Sequence, residues 1–138
     1  MGWLNIMIFD TSVWVDYLKG NINPKSMLLK EYFDTNLSIY TCPCIIQEVL
    51  QGSKSASQFL FLKDLISGLN ILKQDEFEMS VFAAQIYFQL RKKGITLRKP
   101  NDCLIAAYAI NSNITLVHND RDFDEIAKVF PLKIFNPE

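Results

Sequence analysis

Neither sign of charge is in surplus in this sequence: 14 Lys and Arg stand against 15 Asp and Glu, a formal net charge of −1. That excludes a polycation holding nucleic acid by bulk charge, so any nucleic-acid role must rest on a local patch. Long apolar runs are missing too. No stretch approaches the roughly 20 residues needed to cross a bilayer, and Met1–Asp10 lacks the charged start and apolar centre of a signal peptide. No membrane association is expected. Histidine occurs once and cysteine three times, at Cys42, Cys44 and Cys103. An odd set cannot all pair within the chain, and Cys42-Pro43-Cys44 has neither the spacing nor the second half of a zinc site. Buried free thiols in a reducing, cytoplasmic setting are the expectation. Glycine and proline are sparse, five each, and nowhere form a linker. With 49% apolar and 21% charged residues the chain is globular rather than disordered, and residues 1–138 read as a single domain.

What is present is alternation. Ile6–Phe9 is a short apolar strand that ends at Asp10-Thr11-Ser12, after which Val13, Trp14, Tyr17 and Leu18 recur at helical spacing. Asn23-Pro24 opens a helix through about Asp34, Leu37–Thr41 is a second strand, and Pro43 starts a helix running to Gly52. A helix over Ala56–Ile66 and a strand near Leu69–Leu72 follow. Phe77, Val81, Ala84 and Phe88 mark the stripe of a longer helix that stops at Gly94. Cys103–Ile110 is helical, Ile114–Val117 is a buried strand, and a short helix near Phe123–Val129 precedes a last strand, Leu132–Phe135. Strands alternating with helices predict an α/β fold, a three-layer α/β/α sandwich around a mostly parallel sheet.

In such a sheet ligands sit beyond the carboxyl ends of the strands, where strand order reverses. Asp10 directly follows the first strand, and Asp120 follows Ile114–Val117. Asp102 lies in the first turn of the helix leading into that later strand, on the face of Ile105, Ala106 and Ala109. Glu48 lies at the margin of an Ile45/Ile46/Val49/Leu50 stripe after the second strand. Singly, each acid also fits a cap, a turn or a solvated flank. Together they converge on one edge. Two carboxylates about 4 Å apart repel by about 4 kcal/mol at an effective dielectric of 20, so the cluster must take up protons or a cation. With oxygen donors and one histidine, Mg²⁺ or Mn²⁺ suits better than zinc. Such a site reads as metal-assisted phosphodiester hydrolysis.

The ordered segments carry a resemblance. Asp10-Thr11-Ser12 with Val13–Asp16, then Gln47–Gly52, then Leu90–Arg98 leading into Asp102–Ala107, then Leu116–Phe123, resemble the PIN domains of VapC-type toxins across essentially the whole chain. The resemblance implies an acidic quartet of Asp10, Glu48, Asp102 and Asp120, with Asp10, Asp102 and Asp120 as the main metal ligands and Asp122 as a secondary candidate. It implies a Mg²⁺- or Mn²⁺-dependent endoribonuclease that cuts single-stranded or looped RNA, tRNA among the candidates. It further implies a homodimer held in check by an antitoxin encoded alongside. Thr11 and Ser12 would support the site through hydroxyl hydrogen bonds. His118 stands where many relatives carry threonine; it reads as a substrate-phosphate contact or a hydrogen bond within the turn, rather than a metal ligand.

Arg91, Lys92, Lys93, Arg98 and Lys99 put five positive charges into nine residues ahead of Asp102. The run could hold the phosphate backbone that the acids repel, with Arg98 the substrate contact. Trp3, Trp14 and Tyr17 are candidate stacking groups for an unpaired base, although Trp14 reads rather as a residue of the core or of a dimer contact. Two rivals compete with the nuclease. A receiver-like phosphoacceptor wants a lysine after a strand end, and none is there. A catalytically silent RNA-binding or antitoxin-binding module would be indifferent to loss of Asp10 or Asp102.

Overall fold

Asp10 ends the first strand and starts the first helix, and that junction sets the plan of the molecule. The structure is a computed structural model that describes residues 6–137; Trp3 lies outside them. The element order is β1 (Met7–Phe9), α1 (Thr11–Lys19), α2 (Pro24–Asp34), β2 (Ile39–Thr41), α3 (Pro43–Gln51), α4 (Ala56–Ser67), β3 (Asn70–Ile71), α5 (Glu76–Lys92), α6 (Asn101–Ser112), β4 (Thr115–Val117) and α7 (Asp122–Ala127). Local chemistry explains most boundaries. Asn23 and Ser26 form a reciprocal capping box with Pro24 in the first turn, and Ser55 and Asp75 cap α4 and α5. Gly94, at φ +82°, closes α5, its N–H bonding Arg91 O while the Ile95 N–H bonds Leu90 O. That left-handed turn sends residues 95–99 back toward the sheet edge.

The sheet is parallel throughout, in the order β3-β2-β1-β4. Ile8 and Phe9 are both wholly buried, as are Leu116 and Val117. Successive strand residues face opposite sides, so both faces of the sheet are covered, as the three-layer reading expects. Helix α6 is buried nearly all round, with Ile105, Ala106, Ala107 and Ala109 fully enclosed. The chain moves from β1 outward to β2 and β3, then returns to lay β4 on the other side of β1. Strand order therefore reverses between β1 and β4, and the crevice opens where Asp10 and His118-Asn119-Asp120 leave those strands. The Asp10 N–H bonds Val117 O at 2.9 Å, tying the two strand ends together.

Several expectations are decided by the packing. The Phe77/Val81/Ala84/Phe88 stripe of α5 faces outward, Phe77 being 77% and Phe88 57% exposed. The buried side is Met79, Ile86 and Leu90. The two stripes lie two residues apart, about 200° round the helix, so α5 is apolar on opposite sides and its periodicity alone does not choose between them. The last strand shrinks to a single parallel bridge, Leu116 to Ile134. Trp14 is buried edge-on against Phe33 and Tyr17 stacks on the same ring, so both aromatics are spent on packing. The three cysteines are free and buried, and burial pushes their thiols up to about 11 for Cys42, 12 for Cys44 and 11 for Cys103. They are neutral and unreactive at physiological pH.

Candidate active site

At the strand reversal lies a cleft of about 520 Å³ lined by Asp10, Thr11, Ser12, Asp16, Glu48, Lys99, Asp102 and Asn119, among others. Asp10 arrives on the end of β1 and caps α1: its Oδ2 accepts from the Ser12 N–H at 3.0 Å and from Ser12 Oγ at 2.6 Å. The same hydroxyl accepts the Asn119 N–H at 2.9 Å, fixing the β4 exit to the β1 exit. Thr11 Oγ1 donates to Glu48 Oε1 at 2.5 Å, and Asn101 Nδ2 reaches Glu48 Oε2 at 3.3 Å. Glu48 is thus held on the cleft wall from both sides while remaining partly exposed.

Asp102 stands in the first turn of α6 and joins Asp120 and Asp122 in a buried cluster in which one carboxylate oxygen from each lies within 4.8 Å of the others. Its Oδ2 has no hydrogen-bond partner among the described residues. Burial, reinforced by Asp10 and Asp120, pushes the Asp102 carboxyl up to about 9. Burial likewise raises Asp10. Asp120 goes the other way. Burial pushes it up, but the Asp122 N–H, Lys99 and a hydrogen bond shared with Asp102 more than offset that and hold it below the usual range. The surroundings thus favour the neutral form of Asp102 and the ionised form of Asp120.

The sequence-predicted residues divide in the structure. Asp10, Glu48 and Asp102 share the cleft; Asp120 and Asp122 adjoin Asp102 from the β4 side. Arg98 bridges Asp120 and Asp122, with Nη2 3.2 Å from Asp120 Oδ1, Nε 3.7 Å from Asp122 Oδ1, and its own N–H donating to Asp122 Oδ2 at 3.1 Å. Lys99 Nζ lies 3.2 Å from Asp120 Oδ2. Arg91 and Lys92 of the basic run do not converge here: Arg91 lies over the Tyr87 ring and Lys92 over Phe88. His118 does not reach the cleft either. It is 3% exposed, its Nδ1 accepts the Asp120 N–H at 3.0 Å, and its Nε2 faces Asp124 Oδ1 at 3.1 Å. The ring is thus engaged within the turn, and burial lowers its basicity despite Asp124.

One lining acid escaped the sequence reading. Asp16 accepts from Asn23 Nδ2 at 3.0 Å and from Asn119 Nδ2 at 2.9 Å. The signal was its spacing, one turn beyond Ser12 on the same face of α1.

A donor set made only of carboxylates, two of them (Asp102 and Asp120) carrying a buried oxygen that accepts no hydrogen bond among the described residues, fits a hard divalent cation rather than a soft one. Comparison with known proteins gives the lineage. The PIN domain family model matches residues 7–129. A VapC ribonuclease of Mycobacterium bovis and ribonuclease VapC11 of Mycobacterium tuberculosis are each 34% identical to this chain over 129 residues, 93% of it and 96% of theirs. In fold it is similar to DNA-bound VapBC from Salmonella typhimurium, with TM-score 0.73, 22% identity, and coverage of 96% of this chain and 98% of that one. It is similar also to VapBC2 from Rickettsia felis bound to a promoter DNA fragment, with TM-score 0.72, 24% identity, and coverage of 95% and 98%. With 93% of its length aligned to curated VapC ribonucleases and the family model spanning its sheet and cleft, the chain belongs to the PIN-domain family, on the VapC branch.

Proposed function

We propose that this chain is a Mg²⁺- or Mn²⁺-dependent endoribonuclease, the toxin of a VapBC-type pair, cutting single-stranded or looped RNA in the cytoplasm. The observation that carries the reading is Asp102: a buried carboxyl with an unpartnered oxygen, pushed up to about 9, between Asp10 on one side and Asp120 on the other. Its need for positive charge is what a divalent ion meets. Asp10, Asp102 and Asp120 would hold that ion, with Asp122 adjoining and Glu48 completing the site. When bound, such an ion acidifies water and stabilises charge on a phosphoryl group.

The chain's own residues supply the rest. Glu48, held by Thr11 and Asn101, is a partly exposed acceptor placed to take a proton from the attacking water. Ser12 fixes the Asp10 carboxylate and also receives the Asn119 N–H, so the β1 and β4 carboxylates keep a constant separation. Arg98 secures Asp120 and Asp122, and its partly exposed guanidinium can meet the RNA backbone at the rim.

The antitoxin is the regulatory partner. The VapBC names of similar structures support a protein partner, and a homodimer is supported by the outward apolar stripe of α5. The test is an end-labelled single-stranded RNA, and the same sequence as a duplex, offered to EDTA-treated protein before and after Mn²⁺ is restored. Cutting of the single strand only, after Mn²⁺ addition, is expected. Binding without cutting in every condition is the result for a catalytically silent module.

A further inference from the structure

Two cations stand on Asp120, and they are built differently. Arg98 is fixed at three points: its N–H and Nε on Asp122 and its Nη2 on Asp120. Lys99 makes one contact, Nζ to Asp120 Oδ2 at 3.2 Å, and its side chain is 57% exposed while that of Asp120 is 3% exposed. Lys99 lines the cleft together with Asp10, Glu48 and Asp102, and it is the one cation that does so among the described residues. Its stem stands half in solvent and its ammonium sits on the oxygen of a buried acid. A single ion pair with one exposed partner is weakly held, and a lysine ammonium is a point charge on a flexible stem rather than a bidentate fork.

Asp120 belongs to the same carboxylate cluster as Asp102, and the Oδ2 of each accepts no hydrogen bond among the described residues. The Lys99 ammonium and a divalent cation cannot share Asp120 Oδ2 without like-charge repulsion at contact distance. The ion is the stronger competitor. Once displaced, Lys99 faces a cleft of carboxylates already neutralised, and the anion that enters such a cleft on a nuclease is a phosphodiester. We propose that Lys99 is an exchangeable counterion: it neutralises Asp120 in the ion-free chain, yields the oxygen when a divalent ion binds, and then holds a phosphate of the RNA. One side chain thereby couples metal binding to RNA binding, and by linkage RNA raises metal affinity by the factor that metal raises RNA affinity. Lys99 on this account is a substrate-binding residue, and the proposal rests on the ribonuclease reading above.

The test is calorimetric titration of Mn²⁺ into wild type, Lys99→Gln and Lys99→Arg at fixed ionic strength, without RNA and with a 2′-O-methyl single-stranded oligonucleotide that cannot be cut. Without RNA, Lys99→Gln binds Mn²⁺ about five- to tenfold more tightly than wild type, since its competitor is gone. Lys99→Arg, which keeps the charge, stays within about twofold. The oligonucleotide tightens Mn²⁺ binding in wild type by about fivefold, the lower end of ordinary coupling, and leaves Lys99→Gln unchanged. Equal Mn²⁺ affinity of wild type and Lys99→Gln without RNA overturns the role of Lys99 alone, as does coupling that persists in Lys99→Gln. No Mn²⁺ binding by wild type overturns the ribonuclease reading and this proposal with it.

Discussion

Asp102 concentrates the tension of the site in one side chain. Its folded value of about 9 lies far above the ordinary 3.8, so the folded chain binds a proton that the unfolded chain releases. Stability contributed by that proton is present at low pH and is lost as pH rises from about 4 toward 9. Asp102→Asn, which cannot ionise, should therefore melt higher than wild type in EDTA, and the gap in Tm should widen from pH 5 to pH 8. A constant gap across that range contradicts the raised value. His118 gives a second test at this scale. Its Nδ1 accepts the Asp120 N–H and so carries no proton, leaving the Nε2 proton to face Asp124. His118→Leu keeps the bulk but strands a buried N–H beside Asp120, at a cost of about 1–3 kcal/mol. A fall in Mn²⁺ affinity of about 10–100-fold is expected, as for other groups that orient ligands. His118→Asn, with an acceptor oxygen near the same place, should recover most of it. Asp10, Asp102 and Asp120 were legible in the sequence because each follows a strand or opens a helix at the reversal edge, and Glu48 because it flanks the apolar stripe of α3. His118 was not, since its direction is set by Asp120 and Asp124 after the chain has left β4, where strand alternation no longer applies.

At the scale of elements, boundaries were readable where chemistry punctuates them: Asp10, Asn23-Pro24, Pro43 and Gly94 each start or stop a helix as side-chain and φ preferences require. The facing of α5 was not readable. Phe77, Val81 and Phe88 compete in the sequence with Met79, Ile86 and Leu90, and only the packing of α5 along α6 selects the second set. The two sides of the helix should separate in urea unfolding. Leu90→Ala, in the core, should lose about 2–5 kcal/mol, whereas Phe88→Ala in the monomer should stay within about 0.5 kcal/mol. Equal losses contradict the orientation of the helix. The short last strand has a local cause: Pro131 precedes it and Pro137 follows, so little backbone remains to pair with β4 beyond the bridge at Ile134.

For the whole molecule, the site and the outward face are separate consequences of one topology. Laying β4 beside β1 brings acids from α3, α6 and both strand ends to one edge of the sheet, while the outer side of α5 is left without a cover among the described residues. Phe77 and Phe88 are the most exposed rings there, and replacing both with serine should lower the mass measured by light scattering from dimer to monomer. A dimer mass unchanged by the substitutions assigns the contact to another face, and a wild type that runs as a monomer contradicts the dimer. The central claim is that the gathered carboxylates hold a divalent ion with which the chain cuts RNA. It is tested most directly by incubating total cellular RNA with purified protein in Mg²⁺, Mn²⁺ or EDTA, beside Asp10→Asn and Asp102→Asn. Discrete fragments that need metal and disappear in both variants are the predicted result. Wild type and variants that leave folded tRNA and every other RNA equally intact with each metal would contradict it.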